Sequence, residues 1–230
     1  MRLSLSSAGL KDWAGDVLVV GLLNEESDQD RAVLSERFPG LETALEQQAF
    51  KAKPSDQVVL HPLQEGGPSR LIVLGLGDAA GLSLDGVRAA AARAAKASIG
   101  CNGSLGLLLP WKDLEATTVA QVTAEAVLLA SYKDQRFRKE PEPRRVPEAL
   151  ELIGLPQNAA SGLTPVAAHC AGVNLARQLV AAPPNVVTPA ALADTAAELA
   201  RDYGLELNVL ERTDCEARGM GAFLAVSQGS

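Results

Sequence analysis

The chain has 230 residues, of which 47% are hydrophobic and 21% are charged, so it is long and apolar enough to fold around a sizeable core. Its net charge of -7 provides no positive field for nucleic acid or anionic lipid, and we predict neither as a partner. Three cysteines, an odd number at wide spacing, fit reduced thiols better than a disulfide framework.

The amino-terminal residues and the lengths of the apolar runs indicate in which compartment of the cell the protein is located. Residues 1–7 lack a continuous apolar segment before Lys11 and Asp12, and they are poor in arginine, so neither a secretory signal nor a transit peptide is predicted. No run approaches the roughly 20 apolar residues that span a bilayer. The sequence therefore predicts a cytoplasmic protein.

Short apolar runs rich in Val, Ile and Leu alternate with stretches of helical periodicity along the first part of the chain. This alternation is typical of strands covered by helices, and the predicted fold class is α/β. The candidate strands, each bounded by Gly, Pro, Asp or Asn, are residues 16–22, 57–60, 71–76, 105–109 and 150–155.

Two helices are predicted between these strands. Residues 84–99 are dominated by alanines, whose small side chains let a helix axis lie close to a sheet. Val119, Val122, Ala126 and Leu129 recur at helical spacing and give a second helix one apolar face. Both helices are expected to cover the sheet.

Residues 132–148 are predicted to form an exposed connection, because charged residues and three prolines oppose regular structure there. Basic residues around Tyr132 and Phe137 also raise the possibility of a nucleic-acid contact. The interleaved acids, Asp134 and Glu140 among them, cancel most of that charge. We favour a solvated loop.

A second block begins near Thr164 and Pro165, a favourable N-cap and first-turn pair. The helix that follows is expected to stop at the proline pair 183–184. Its predicted apolar face carries Val166, Cys170, Val173 and Val180.

The remainder of this block repeats the same pattern. Thr188 and Pro189 predict a helix ended by Gly204, with a strand over residues 205–210. Thr213 and Glu216 have capping-box spacing for a short helix ended by Gly219, with another strand over residues 222–226. Two strands are too few to form an independent α/β core, so we expect the rest of this sheet to be missing.

Metal ligands are sparse in the sequence. The only histidines are His61 and His169, and the cysteines do not have the spacing of a zinc site. His169 and Cys170 point about 100° apart on a helix, so packing explains them better than chelation. The acidic residues Glu25, Glu26, Asp28 and Asp30 lack the pattern of a calcium loop, and a solvated helix entrance is favoured.

A glycine-rich turn over residues 75–80 is the best local motif, since it follows an apolar strand and formally matches the Gly-x-Gly-x-x-Ala form of a dinucleotide turn. Leu82, Ser83 and Leu84 delay the following helix, and no acidic residue closes the next strand. We favour a tight structural turn, with nucleotide binding as the alternative.

Two longer segments carry a resemblance. Residues 172–189 read GVNLARQLVAAPPNVVTP, and residues 219–230 read GMGAFLAVSQGS. Both closely resemble segments of the cytosolic leucyl aminopeptidases, the two-metal M17 peptidase family. Weaker similarity covers residues 74–77, the helix with Arg88, and residues 125–138, so nearly the whole chain is similar to that family's amino-terminal half.

The resemblance implies a macro-domain-like amino-terminal α/β domain over residues 1–158, with a mixed sheet and flanking helices. A connecting helix and an incomplete start of an α/β metallopeptidase domain follow over residues 159–230. It also implies peptide substrates and a homo-hexamer in which catalytic domains meet at the centre.

In that family two divalent ions, manganese or zinc, activate the water that attacks the first peptide bond. The motifs that supply the ligands, Gly-Lys-Gly-x-Thr-Phe-Asp-Ser-Gly-Gly and Asn-Thr-Asp-Ala-Glu-Gly-Arg, do not occur in this sequence. No residue of this sequence is therefore predicted to be catalytic, cofactor-binding or metal-binding, and this chain alone is expected to be inactive. Asn174, Arg177, Asn185 and the proline pair 183–184 are interpreted as structural.

A different class of function stays open as the alternative to the amino-terminal part of an aminopeptidase. It is a non-catalytic, macro-like module that binds ADP-ribose or another nucleotide through the turn over residues 75–80, or that acts in assembly.

Overall fold

The computed structural model describes residues 1–24, 29–62, 67–111, 113–141 and 145–229. The chain divides into two compact units, residues 1–177 and residues 178–230. None of the helices in these described ranges is long and apolar enough to cross a membrane.

The described residues of the first unit form an α/β fold, as the sequence predicts. Its strands are β1 (Arg2–Leu5), β2 (Val17–Leu22), β3 (Gln57–Leu60), β4 (Arg70–Gly75), β5 (Ser104–Leu108) and β6 (Ala149–Leu152). Its helices are α1 (Gln29–Arg37), α2 (Leu41–Gln47), α3 (Leu84–Ala97), α4 (Ala116–Ser131) and most of α5 (Val166–Ala181), with short 3₁₀ segments at Ala79–Gly81 and Gln157–Leu163.

The strands form one sheet in the order β1-β6-β5-β2-β4-β3. Only β3 runs antiparallel to its neighbour among the pairs described, so the mixed sheet of the prediction is confirmed. Val20 of β2 lies opposite Val73 on one side and Leu108 on the other. All residues of β2 are buried, which explains why its sequence is continuously apolar rather than alternating.

Two hydrophobic clusters cover the two faces of this sheet. Val17 and Val19 point into the cluster formed with α3 and α4, whereas Leu18 and Val20 point into the cluster formed with α1 and α2. The alanine-rich helix is confirmed as a sheet-covering helix. Its inward face is fully or almost fully buried and consists of Val87, Ala90, Ala91, Ala94 and Ala95.

The five strands predicted for this unit are confirmed, with ends shifted by up to three residues. The edge strand β1 was not predicted, because its alternating, half-exposed residues lack a continuous apolar run. Helices α1 and α2 were also missed, since they are short and carry many charged residues on their exposed sides. Of the acidic residues near this point, Asp30 lies in the first turn of α1, and residues 25–28 lie outside the described ranges.

Residues 132–141 and 145–148 contain no helix or strand, which confirms the predicted connection. Phe137 is half-exposed, and the Arg136 guanidinium covers its ring at 5.1 Å.

The helices of the second unit are α6 (Pro189–Tyr203), α7 (Arg212–Ala217) and α8 (Gly221–Ser227). The start of α6 is confirmed, because the Thr188 hydroxyl accepts a hydrogen bond from the Ala191 amide at 3.3 Å. The end of α6 is confirmed by Gly204, which adopts the left-handed conformation at φ 66°.

Both strands predicted for the second unit are wrong. Residues 205–210 have no regular structure, and residues 222–226 lie within α8. A strand needs hydrogen bonds to a neighbouring strand, and none pairs with either segment in the described part of the chain. The alanine-containing segment instead satisfies its backbone locally, with the Leu224 amide donating to the Met220 carbonyl.

Two finer predictions about the helices also need correction. The capping pair of α7 is Glu211 and Asp214 rather than Thr213 and Glu216, and the Asp214 carboxylate accepts from the Glu211 amide at 2.9 Å. On α5, Val166 and Cys170 are buried as predicted, but Val173 is 41% exposed and Val180 is 87% exposed. The predicted apolar face is therefore covered only along its first part.

The N-cap of α3 gives a test of how this helix is held in place. The Ser83 hydroxyl accepts a hydrogen bond from the Gly86 amide at 3.2 Å. Ser83→Ala removes this acceptor and is expected to lower the free energy of unfolding by about 1 kcal/mol, whereas Ser83→Gly costs only about a few tenths. Urea denaturation of both variants measures the difference, and equal losses would contradict the capping role.

Candidate functional site

The turn over residues 75–80 joins the end of β4 to the segment before α3, and it is packed against the segment before β3. A side chain at Gly75 would collide with the carbonyl oxygen of Lys53 and with Ala52. Gly77 adopts a left-handed conformation at φ 79° beside Pro54. The two glycines are therefore required for close approach and for backbone conformation, as a structural turn predicts.

The backbone amides of this turn are already used inside the fold. Gly75 donates to the Asp56 carbonyl at 2.9 Å, Leu76 to the Leu22 carbonyl at 2.9 Å, and Gly77 to the Ala52 carbonyl at 2.7 Å. A dinucleotide turn requires such amides and the following helix start to point at a pyrophosphate. Here a 3₁₀ segment follows the turn, and α3 begins only at Leu84. The geometry fits a tight turn rather than a phosphate cradle.

Arg93 of α3 fixes the same region from the other side. Its guanidinium donates to the carbonyl oxygens of Pro54, Asp56 and Gly75, the last at 3.1 Å. Partial burial lowers the pKa of Arg93, against the opposing effect of the Asp56 charge. The guanidinium thus replaces the solvent that these carbonyls would otherwise need.

Two glycine substitutions separate packing from helix propensity. Gly75→Ala is expected to lower the free energy of unfolding by about 1–3 kcal/mol, because the added carbon meets rigid backbone. Gly86→Ala, within α3, is the matched control, since the added carbon would lie 3.5 Å from the Ser83 hydroxyl oxygen, an ordinary contact, and it is expected to stabilise by about 0.5–1 kcal/mol. Thermal or urea unfolding measures both, and a neutral Gly75→Ala variant would contradict this description of the turn.

A polar network joins α4 to α5. Oε1 of Glu125 is 2.8 Å from Nδ1 of His169 and accepts a hydrogen bond from the Gln121 amide group at 3.0 Å. The neighbouring Cys170 points instead into the core, with its sulfur 3.9 Å from the Glu125 carbonyl oxygen. His169 and Cys170 therefore point in different directions, as their helical spacing predicts.

The electrostatics of this network fit a structural role. Burial raises the pKa of Glu125, but the hydrogen bonds from Gln121 and His169 and the nearby positive charges outweigh it, so the pKa lies below its usual value. Burial and the Glu125 charge raise the pKa of Cys170. A thiol held in its neutral form is a poor nucleophile and a poor metal ligand.

Acid sensitivity provides a test of this network. Because the folded-state pKa of Glu125 is lowered, its ionised form stabilises the fold above its ordinary value of 4.5, and that contribution is lost as the pH falls through the folded-state pKa. Glu125→Gln is therefore expected to flatten the fall of the urea midpoint between about pH 6 and pH 3. His169→Gln should give an intermediate slope, and identical slopes for all three proteins would contradict the network.

Sequence reasoning did not find the Glu125–His169 contact, although residues 125–138 were noted for their resemblance. The available signal was Gln121 and Glu125 at i, i+4 on a helix in which Glu125 is the one charged residue. The partner lies 44 residues further along the chain, and only the fold brings it near. His61, the other histidine, follows β3 in an exposed position, as expected for a loop residue.

No group of three or more His, Cys, Asp or Glu residues that could hold a metal ion occurs among the described residues. Asn174 and Arg177, interpreted as structural from the sequence, contact each other at 3.4 Å. Arg177 also donates to the Leu129 carbonyl at 2.9 Å, and its guanidinium lies over the Tyr132 ring.

Comparison with known families gives the context for this site. The profile described as "Cytosol aminopeptidase family, N-terminal domain" matches residues 17–141, which is more than half of the chain. The chain belongs to the cytosol aminopeptidase family. The family's catalytic-domain profile also matches, over residues 174–230. The segments of residues 172–189 and 219–230 fall almost entirely within this second match.

Curated relatives in the cytosol aminopeptidase family align along the whole chain. Probable cytosol aminopeptidases from a Synechococcus strain and from Parasynechococcus marenigrum are 64% and 68% identical over 230 residues. The chain covers 47% of each relative, so it spans about half the length of the curated proteins it matches.

Solved structures agree with this assignment. A variant of tomato leucine aminopeptidase has a TM-score of 0.87 at 28% identity, with 98% of this chain and 47% of that protein covered. The bottromycin maturation enzyme BotP in complex with Mn has a TM-score of 0.58 at 26% identity, covering 82% of this chain and 37% of that one. The α/β fold of this chain is thus close to that of a leucine aminopeptidase.

Proposed function

We propose that this chain supplies the amino-terminal domain and the opening part of the catalytic domain of an aminopeptidase that releases amino-terminal residues from peptides. The observation that carries the proposal is the match of residues 174–230 to the catalytic-domain profile, in line with the amino-terminal domain match. We place the boundary between these domains near residue 158. The proposed location is the cytoplasm, and the proposed assembly is a homo-hexamer.

The described residues do not fit a two-metal centre. Two divalent ions held about 3.5–4 Å apart require several converging carboxylate or other ligands, and the described residues contain no such group. We therefore propose that no catalytic, metal-binding or cofactor-binding residue lies in this chain, and that it does not hydrolyse peptides by itself. The ions, manganese or zinc, would be held by other parts of the catalytic domain.

The low burial of the second unit supports the proposal that other parts of a catalytic domain complete the active enzyme. Among the described residues from 178 onward, Cys215 is the only one that is buried. Large apolar side chains remain exposed, including Tyr203 at 71%, Phe223 at 62% and Val226 at 88%. Monomeric proteins rarely expose so many large apolar side chains together. We infer that further elements of a catalytic domain cover them in the active enzyme.

The alternative of a nucleotide-binding module gains no support from the geometry. The amides of Gly75, Leu76 and Gly77 that would bind a phosphate all donate to backbone carbonyls within the fold. We do not propose it as a second function.

A chimera tests the proposed function. The chain is joined to the remaining sequence of the 64% identical Synechococcus relative, and hydrolysis of a leucine amide substrate is measured with manganese or zinc. We expect the chimera to be active and to lose activity with a chelator, while the 230-residue chain shows no turnover and binds no stoichiometric metal. The relative itself is the positive control.

Two outcomes would contradict the proposal. Metal-dependent turnover by the chain alone would show that it contains a catalytic site. A folded but inactive chimera, beside an active relative, would show that this chain does not supply a competent amino-terminal half.

A further inference from the structure

A groove of about 560 Å³ runs along the outer surface of the first unit, between α3 and α4. Arg88, Ala92 and Lys96 are spaced four residues apart, so they form one stripe along α3 that is about 12 Å long. Ala126, Leu129 and Ala130 form the facing stripe on α4. Alanines on both helices keep the floor shallow and apolar, and charged side chains form the rims.

The charge of this groove is opposite to that of the whole chain. Four cationic residues line it, namely Arg88, Lys96, Lys133 and Arg177, within a chain of net charge -7. Asp134 is the acid among the described lining residues, and Arg136 already binds its carboxylate through two hydrogen bonds of 2.9 and 2.7 Å. The groove therefore presents a net positive surface.

Two of the cations are held in position by the fold. Arg177 donates to the Leu129 carbonyl, and its guanidinium lies 5.9 Å from the centre of the Tyr132 ring. Arg88 is paired with Asp85 on the same helix and lies near Glu125. Lys96 is exposed two turns further along α3, away from Asp85, so it adds positive charge at the end of the stripe that these acids do not reach.

The shape of the groove selects the kind of occupant. Sites for small molecules are concave and bury most of the ligand, whereas this groove is an open trough between two helices. An apolar floor with basic rims matches a peptide segment that carries apolar residues on one side and carboxylates on the other. Single-stranded nucleic acid is a poorer fit, because it needs exposed aromatic rings for stacking and Arg177 already covers Tyr132.

We propose that the groove between α3 and α4 is a docking site for an acidic peptide segment of a partner protein. Carboxylates of the segment would pair with Lys96 and Arg177 while its apolar residues contact Ala92 and Leu129. The test measures binding rather than hydrolysis, so its failure and the failure of the proposed function are distinguishable.

Fluorescence anisotropy with the full 230-residue chain tests the site. The probe is a labelled amphipathic peptide of about 12 residues built from Glu, Ala and Leu, long enough to span the α3 stripe. Its control is the same peptide with Gln in place of every Glu. We expect the Glu peptide to bind at roughly 50 mM salt, the Gln peptide to bind at least about tenfold more weakly, and binding to disappear near 1 M salt.

Variants of matched charge locate the binding. Lys96→Glu is expected to weaken binding by roughly tenfold and Lys96→Gln by less, because surface charges act over short range in water. Lys11→Glu is the control. Lys11 lies next to Leu10 on the opposite side of the sheet, where it pairs with Glu36 at 3.5 Å, and its substitution should leave the affinity unchanged. Lys96 is exposed, and urea midpoints verify that each variant folds.

Several results would overturn the proposal. They are absence of binding by the Glu peptide, equal binding of both peptides, equal effects of Lys96→Glu and Lys11→Glu, or binding only of a single-stranded oligonucleotide added as a competitor. The last result would assign the groove to a different class of partner.

Discussion

The central strand β2 can exist only because both of its edges and both of its faces are covered. Its backbone groups pair with β4 on one side and β5 on the other, and all six of its residues are buried. Parallel strands have no solvent-exposed alternative, since they need helices on each face to exclude water from the ladder. In the first unit, α1 and α2 supply one cover, and α3 and α4 supply the other.

This constraint explains how the turn after β4 is built. Close packing of the segment before β3 against that turn leaves no room for a side chain at Gly75. The carbonyls brought together there are satisfied by Arg93 from α3, so a helix that covers the sheet also fixes the loop at its edge. The glycines therefore support the architecture. A phosphate would have to displace backbone hydrogen bonds that maintain the sheet edge.

In the second unit, the described residues supply neither partner strands nor helices that cover apolar faces. Segments that read as strands have no neighbouring strand, and one of them forms α8 instead. Helix α6 has well-formed ends but no buried residue. Local signals such as Thr188 and Gly204 suffice to form a helix, whereas a strand requires a partner. The family's catalytic-domain profile matches residues 174–230, a range that includes this unit.

The sequence by itself determined the α/β class, the five strands β2 to β6 of the first unit, the helix over residues 84–99 and the family, because apolar periodicity, capping residues and local motifs act within a few positions of one another. It also favoured a structural turn at Gly75. Only the tertiary structure decided the sheet order, the contact of Glu125 with His169 and the basic groove between α3 and α4. It also decided the conformation of residues 205–210, which have no regular structure, and of residues 222–226, which form part of a helix. Those features depend on partners distant in the chain, and a residue pattern records the ability to pair but not whether a partner is present.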